Sequence, residues 1–190
     1  MTARPAAGDG GFSLTEVMVS LVIFSAVLAS VVGMLSSFTA TERRGEAQAA
    51  NQAAVRLAVA ALERDVRDAT GVGLLGSAAA YAETLLLTVD GGCVRWEAAD
   101  GELARSEESP CGTVTTRRVL VATVEAVGSA PVFAYHRPGG EAMDAGETAW
   151  DFATCAARVV VRFAGAADDL APPFPVEGDA RLRAGRPAAC

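Results

Sequence analysis

The sequence predicts an α+β protein in which one long amino-terminal helix, membrane-spanning over its first half, packs on a mainly antiparallel β-sheet domain. Three observations carry that expectation. Residues 12–38 are apolar or small throughout, with Glu16 as the only charge. Residues 39–70 keep helical character up to a cluster of glycines at 71, 73 and 76. Beyond them the texture changes to short Val-rich runs separated by turn residues.

The chain opens with the short polar, glycine-rich stretch "MTARPAAGDGG", in which Arg4 is the one basic side chain. The apolar run from Phe12 to Phe38 makes roughly 40 Å of helix, more than the ~30 Å hydrocarbon core of a bilayer requires. A run of this length argues against a buried core helix. Glu16 stands out within it, because a carboxylate in lipid is costly and marks a functional position by default. Its place near a helix amino terminus is favoured by the helix dipole, and a side chain one turn into the span can also reach the headgroup region.

Past the apolar run, Val55, Val59, Leu62, Val66 and Ala69 recur at spacings of four and three, giving one apolar stripe. Arg56, Glu63, Arg64, Arg67 and Asp68 lie mostly off that stripe, and Glu63 and Arg67 have the favourable i, i+4 order. The expected helix therefore covers residues 12–70, with 12–38 transmembrane and 39–70 amphipathic. Gly33 and Gly45 weaken it locally and are its expected points of bending.

Residues 71–190 are expected to form the globular domain, whose size suffices for one core. "TLLLTVD", "CVRWEA" and "GELARSE" read as a meander turned at "DGG" and "ADGE". "RRVLVATVEAV", "APVFAYHR" and "ARVVVRFAG" are three further strands, one face of the sheet lying on the helix stripe. An irregular acidic loop is expected between Pro138 and Thr154. The stretch after Ala166, with Pro172, Pro173, Pro175 and Pro187, reads as a tail. Trp96, Trp150, Phe133 and Tyr135 are expected in the core or half-buried.

Composition narrows the chemistry. The net charge is −7 with acids scattered, and all the basic residues are Arg. No basic stripe is offered to phosphates, so nucleic acid is not an expected partner. The single histidine, His136, has no nucleophile elbow or Cys–His arrangement near it and reads as a strand-end residue. No glycine pattern suits a phosphate or dinucleotide loop. Calcium is the only cofactor with a foothold: Glu141, Asp144, Glu147 and Asp151, or Asp168, Asp169, Glu177 and Asp179. Neither set has EF-hand spacing, and solvated acidic loops are the expected outcome. The four cysteines, Cys93, Cys111, Cys155 and Cys190, match no zinc pattern. In an exported segment an even number suits disulfides, and Cys93 with Cys111, flanking a predicted hairpin, plus Cys155 with Cys190 is the favoured of three pairings.

"GFSLTEVMVSLVIFSAVL" resembles the amino terminus of the type IV pilin and type II secretion pseudopilin superfamily. Its members carry a short leader ending in Gly, then an aromatic residue, a helical apolar stretch and Glu at the fifth mature position. Gly11, Phe12 and Glu16 match those positions. The order of the later pieces, "ALERDVRDATG", "VRWEAADGELARS", "VFAYHR" and "ARVVVRF", is similar to the larger minor pilins and the large minor pseudopilins. The cysteines have no counterpart in that pattern.

The resemblance implies a pilin-like fold, a leader over residues 1–11, cleavage between Gly11 and Phe12 by a prepilin peptidase, and methylation of the new amino group of Phe12. It implies that Glu16 serves assembly. Positions 12 and 16 share a helix face about 6 Å apart along the axis, so a terminal ammonium of the same chain or of a neighbour can pair with the carboxylate in low dielectric. The implied partners are the peptidase, other pilins or pseudopilins met through the helix, and the inner-membrane assembly platform. The implied course runs from the cytoplasmic membrane, crossed once with the carboxyl-terminal domain outside, to a filament at the cell surface. Two other readings predict different amino termini. An ordinary secretory signal would be cut after Ala29, and a signal-anchored binding domain or enzyme would keep its first residues and never polymerise.

Overall fold

The computed structural model describes residues 13–144, 146–165 and 174–183. The chain divides into two compact units, Met1–Gly45 and Glu46–Cys190. Helix α1, Leu14–Asp68, runs through Gly33 and Gly45, and lies two residues inside each end of the predicted span.

In the first unit α1 covers no core. Leu14, Val17, Met18, Leu21, Val22, Phe24, Leu28, Val31, Leu35 and Phe38 are all exposed, so the helix is apolar on every side. A helix of that kind belongs in lipid or among other helices.

In the second unit the last turns of α1 bury the predicted stripe: Val55, Val59, Leu62 and Val66, joined by Ala58 and, just past the helix end, Ala69. Glu63 and Arg67 form the expected ion pair at 2.6 Å. Strand β1 (Gly71–Val72), a 3-10 turn (Ala78–Ala82), β2 (Thr84–Val89), β3 (Gly92–Ala99), β4 (Glu102–Glu108) and β5 (Val114–Val121) follow. They make an antiparallel sheet ordered β1-β2-β3-β4-β5. The β3–β4 turn places Asp100 at φ 54° and Gly101 at φ 76°, the left-handed pair that a two-residue hairpin demands.

A second antiparallel sheet holds β6 (Val124–Glu125), β7 (Phe133–His136), β8 (Arg158–Gly165) and β9 (Phe174–Arg181). β6 and β7 pair with successive parts of β8, while β9 follows β8 along its whole length. The single sheet expected from the sequence is thus two. The run "RRVLVATVEAV", read as one strand, is cut at Ala122–Thr123: β5 ends the first sheet and β6 begins the second.

Three more expectations are corrected. The loop between Pro138 and Thr154 contains helix α2 (Ala149–Cys155), started by a capping box in which Thr148 and Asp151 satisfy each other's backbone N–H. The supposed tail returns as β9, with Pro175 tolerated because that strand is an edge. Trp150 is 63% exposed rather than packed, whereas Trp96, Phe133 and Tyr135 are buried.

Two contacts seat α1 on both sheets. Asp65 accepts hydrogen bonds from Trp96 Nε1 at 3.0 Å and Arg105 Nε at 2.7 Å, tying the helix to β3 and β4. One turn and more earlier, Val55 and Val59 meet the second sheet where Gly165 and Gly178 leave room: a Cβ at Gly178 would stand 2.5 Å from Val59. Between the sheets Tyr81, Tyr135 and Phe152 form an aromatic cluster with centroids 4.5–5.5 Å apart. The Tyr135 hydroxyl donates to Thr84 O, a bond from β7 to β2.

Candidate functional site: the amino-terminal segment

The site is built by the start of α1. Ser13 precedes the helix, and its carbonyl accepts from Glu16 N at 2.9 Å and Val17 N at 3.2 Å, closing the first turn. The Ser13 and Thr15 hydroxyls lie 2.7 Å apart. Glu16 therefore sits in the first turn, at the positive end of the helix dipole. Gly11 and Phe12, expected to flank the cleaved bond, lie outside the described residues.

Downstream of Glu16 six hydroxyl side chains are satisfied within the helix itself. Ser25, Ser30, Ser36, Ser37, Thr39 and Thr41 each donate to a backbone carbonyl three or four residues earlier, at 2.7–3.0 Å. Such back-bonding removes the cost of placing a hydroxyl in an apolar medium. The helix contains an 18-residue window of mean hydropathy 2.5, so by length and composition it can cross a membrane. Glu16 is the one charge in this segment whose burial in lipid would need a partner.

The other sequence-predicted residues fall elsewhere. Cys93 and Cys111 form a disulfide with Cα atoms 5.1 Å apart, closing the open end of the β3–β4 hairpin. Cys155 is also disulfide-bonded, and Cys190 lies outside the described residues. His136 stands at the end of β7 with Nδ1 3.3 Å from Gly140 O, a turn contact.

Five of the acids considered for calcium have local duties. Asp144 accepts from Gly146 N, Glu147 pairs with Arg137 and Asp151 caps α2. Glu177 and Asp179 pair across strands with Arg162 and Arg158, while Asp168 and Asp169 are outside the described residues. Among the described residues no three potential metal ligands are brought together.

Sequence reading missed the buried carboxylate of Glu108. It receives Arg95 Nε and, at 2.6 Å, the N–H of Gly112. Burial pushes this carboxyl up, but the Arg95 hydrogen bond, the Gly112 N–H and the Arg95 charge outweigh it and hold it below the ordinary range. The clasp fixes the loop that carries Cys111.

Comparison with known families gives one match. Residues 7–32 fit the prokaryotic N-terminal methylation motif, the signature of type IV pilins and pseudopilins. No curated protein matches the chain. The motif covers the expected leader end, Glu16 and most of the apolar run. Over these residues the chain is similar to the amino termini of type IV pilin-like and pseudopilin precursors, and an α+β, pilin-like architecture follows them. The motif is one of structural subunits, and it goes with processing by a prepilin peptidase, membrane anchoring and assembly with other pilins.

Proposed function

We propose that the chain is a prepilin-like structural subunit, not an enzyme, cleaved between Gly11 and Phe12, N-methylated at Phe12 and assembled as a minor pilin into a type IV pilus. The observation that carries this reading is the methylation motif over residues 7–32 laid on a helix that is apolar on every side. In the membrane such a helix is solvated by lipid. In a filament the same faces pack against neighbouring helices, and Glu16 sets register by pairing with a terminal ammonium. The larger folded domain favours a minor component over the bulk subunit. A minor pseudopilin of a type II secretion system shares the motif and the architecture. The partners of this reading are the peptidase, companion pilins and the inner-membrane assembly platform, and it calls for no cofactor.

Mass spectrometry of the first residue of the purified protein tests it. Methyl-phenylalanine at position 12 is the expected result. A start at Met1 would mean a signal-anchored domain, and a start at Ser30 a cleaved secretory protein. For the role of Glu16, the Glu16→Val variant is expected to be processed normally yet to enter filaments about tenfold less, the effect of losing roughly 1.4 kcal/mol of pairing. Normal incorporation of that variant would remove Glu16 from assembly. The identity of the accompanying secretin and ATPase separates pilus from secretion system.

A further inference from the structure

We propose that the outer edge of β5 is a docking site for an extended strand of another protein that carries acidic side chains at its centre. β5 is eight residues long and ends its sheet, so among the described residues one edge has no neighbouring strand, whereas the opposite end of the sheet is the two-residue β1. Every residue from Val114 to Val119 is exposed, on both faces of the strand, and the core gains only Val121 fully from it. Long exposed edges are templates for strand addition, in which backbone hydrogen bonds supply affinity and alternate side chains supply specificity.

This strand is nonetheless firmly held. Before it, the Cys93–Cys111 disulfide and the Glu108 clasp on Gly112 fix the loop. Within it, the Thr115 hydroxyl bonds Glu107 O, and just after it Val124 N–H bonds Gly101 O at 2.6 Å. An edge ordered in advance loses little freedom on pairing.

Charge selects the occupant. Arg117 and Arg118 stand at the middle of β5 and, as successive strand residues, present guanidinium groups to opposite faces. Arg117 reaches Glu102 only at 3.8 Å with both side chains exposed, and Arg118 feels Glu107 through space. A second copy pairing antiparallel over the whole strand would set Arg117 opposite its copy's Arg118, and like charges directly opposite repel. The arrangement thus disfavours self-pairing and favours a heterologous strand with carboxylates at those two positions.

The test uses the full-length protein in detergent micelles and blocked peptides of about ten residues with alternating Val and Thr. One has two central Glu, a second has two central Lys, and a third is the acidic peptide N-methylated at alternate residues along its pairing edge. The acidic peptide is expected to bind and to slow amide hydrogen exchange across 114–121. The Lys peptide is expected to bind about tenfold or more weakly, and the methylated one not to bind. The double variant R117E/R118E is expected to reverse the preference. Absence of exchange protection in β5, equal binding of the Glu and Lys peptides, indifference to the charge swap, or self-association of the chain through β5 would each overturn the proposal. Neither amino-terminal processing nor filament formation enters the measurement, so its failure leaves the proposed function untouched.

Discussion

Asp65 shows how much one side chain can hold. Its carboxylate takes the indole N–H of Trp96, which is fully buried, and the guanidinium of Arg105, which it raises above the ordinary arginine range. Asp65→Ala would strand a buried donor and an Arg with half its partners gone. The expected loss is about 1–3 kcal/mol, read from urea unfolding. Glu108 offers a pH-dependent counterpart. Its folded carboxyl is held below the ordinary range, so its stabilising contribution is present above the unfolded-state value and vanishes as pH falls through the folded one. The stability difference between the native protein and Glu108→Gln is therefore expected to shrink as pH drops below about 4, measured as urea midpoints against pH. The place of Glu16 in the first helical turn and the 55–69 stripe were legible because each is local to one helix. Asp65 was not, since its partners lie 31 and 40 residues away and nothing in the sequence sets that register.

Among the elements, the fit of α1 to the second sheet turns on glycine. Gly178 on β9 and Gly165 on β8 lie under Val59 and Val55, where a side chain has no room. Gly178→Ala is expected to push the helix off β9 and cost about 1–3 kcal/mol, as overpacked cores do, visible as a lowered thermal midpoint with secondary structure retained. Periodicity revealed α1, β2, β3, β4, β7 and β8. It failed where local chemistry conflicts with context. Pro175 argued against β9, yet an edge position accepts it. α2 is too short for a helical period to show, although "TAWD" contains the capping pair that starts it. The passage from β5 to β6 keeps one Val-rich pattern across two sheets, so only the three-dimensional partner strands reveal the cut.

Across the whole carboxyl-terminal unit, Glu46–Cys190, the last turns of α1 bridge two sheets that are also joined by the chain at Ala122–Thr123, by the Tyr135–Thr84 bond and by the Val124–Gly101 bond. The Cys93–Cys111 disulfide then closes the hairpin on which Asp65 grips. Removing it as C93S/C111S is expected to lower stability by about 3 kcal/mol, given the length of the loop it closes, in a comparison of urea unfolding curves.

The same staple has a mechanical meaning. Force applied along α1 reaches β3 and β4 through Trp96 and Arg105, and these strands belong to a covalently shut loop. Once the helix is torn from the sheet, the segment between Cys93 and Cys111 still cannot pay out. In a single-molecule pulling experiment the C93S/C111S variant is expected to lengthen by about 60 Å more than the native protein on complete unfolding, the extended reach of the freed loop less the 5.1 Å already spanned.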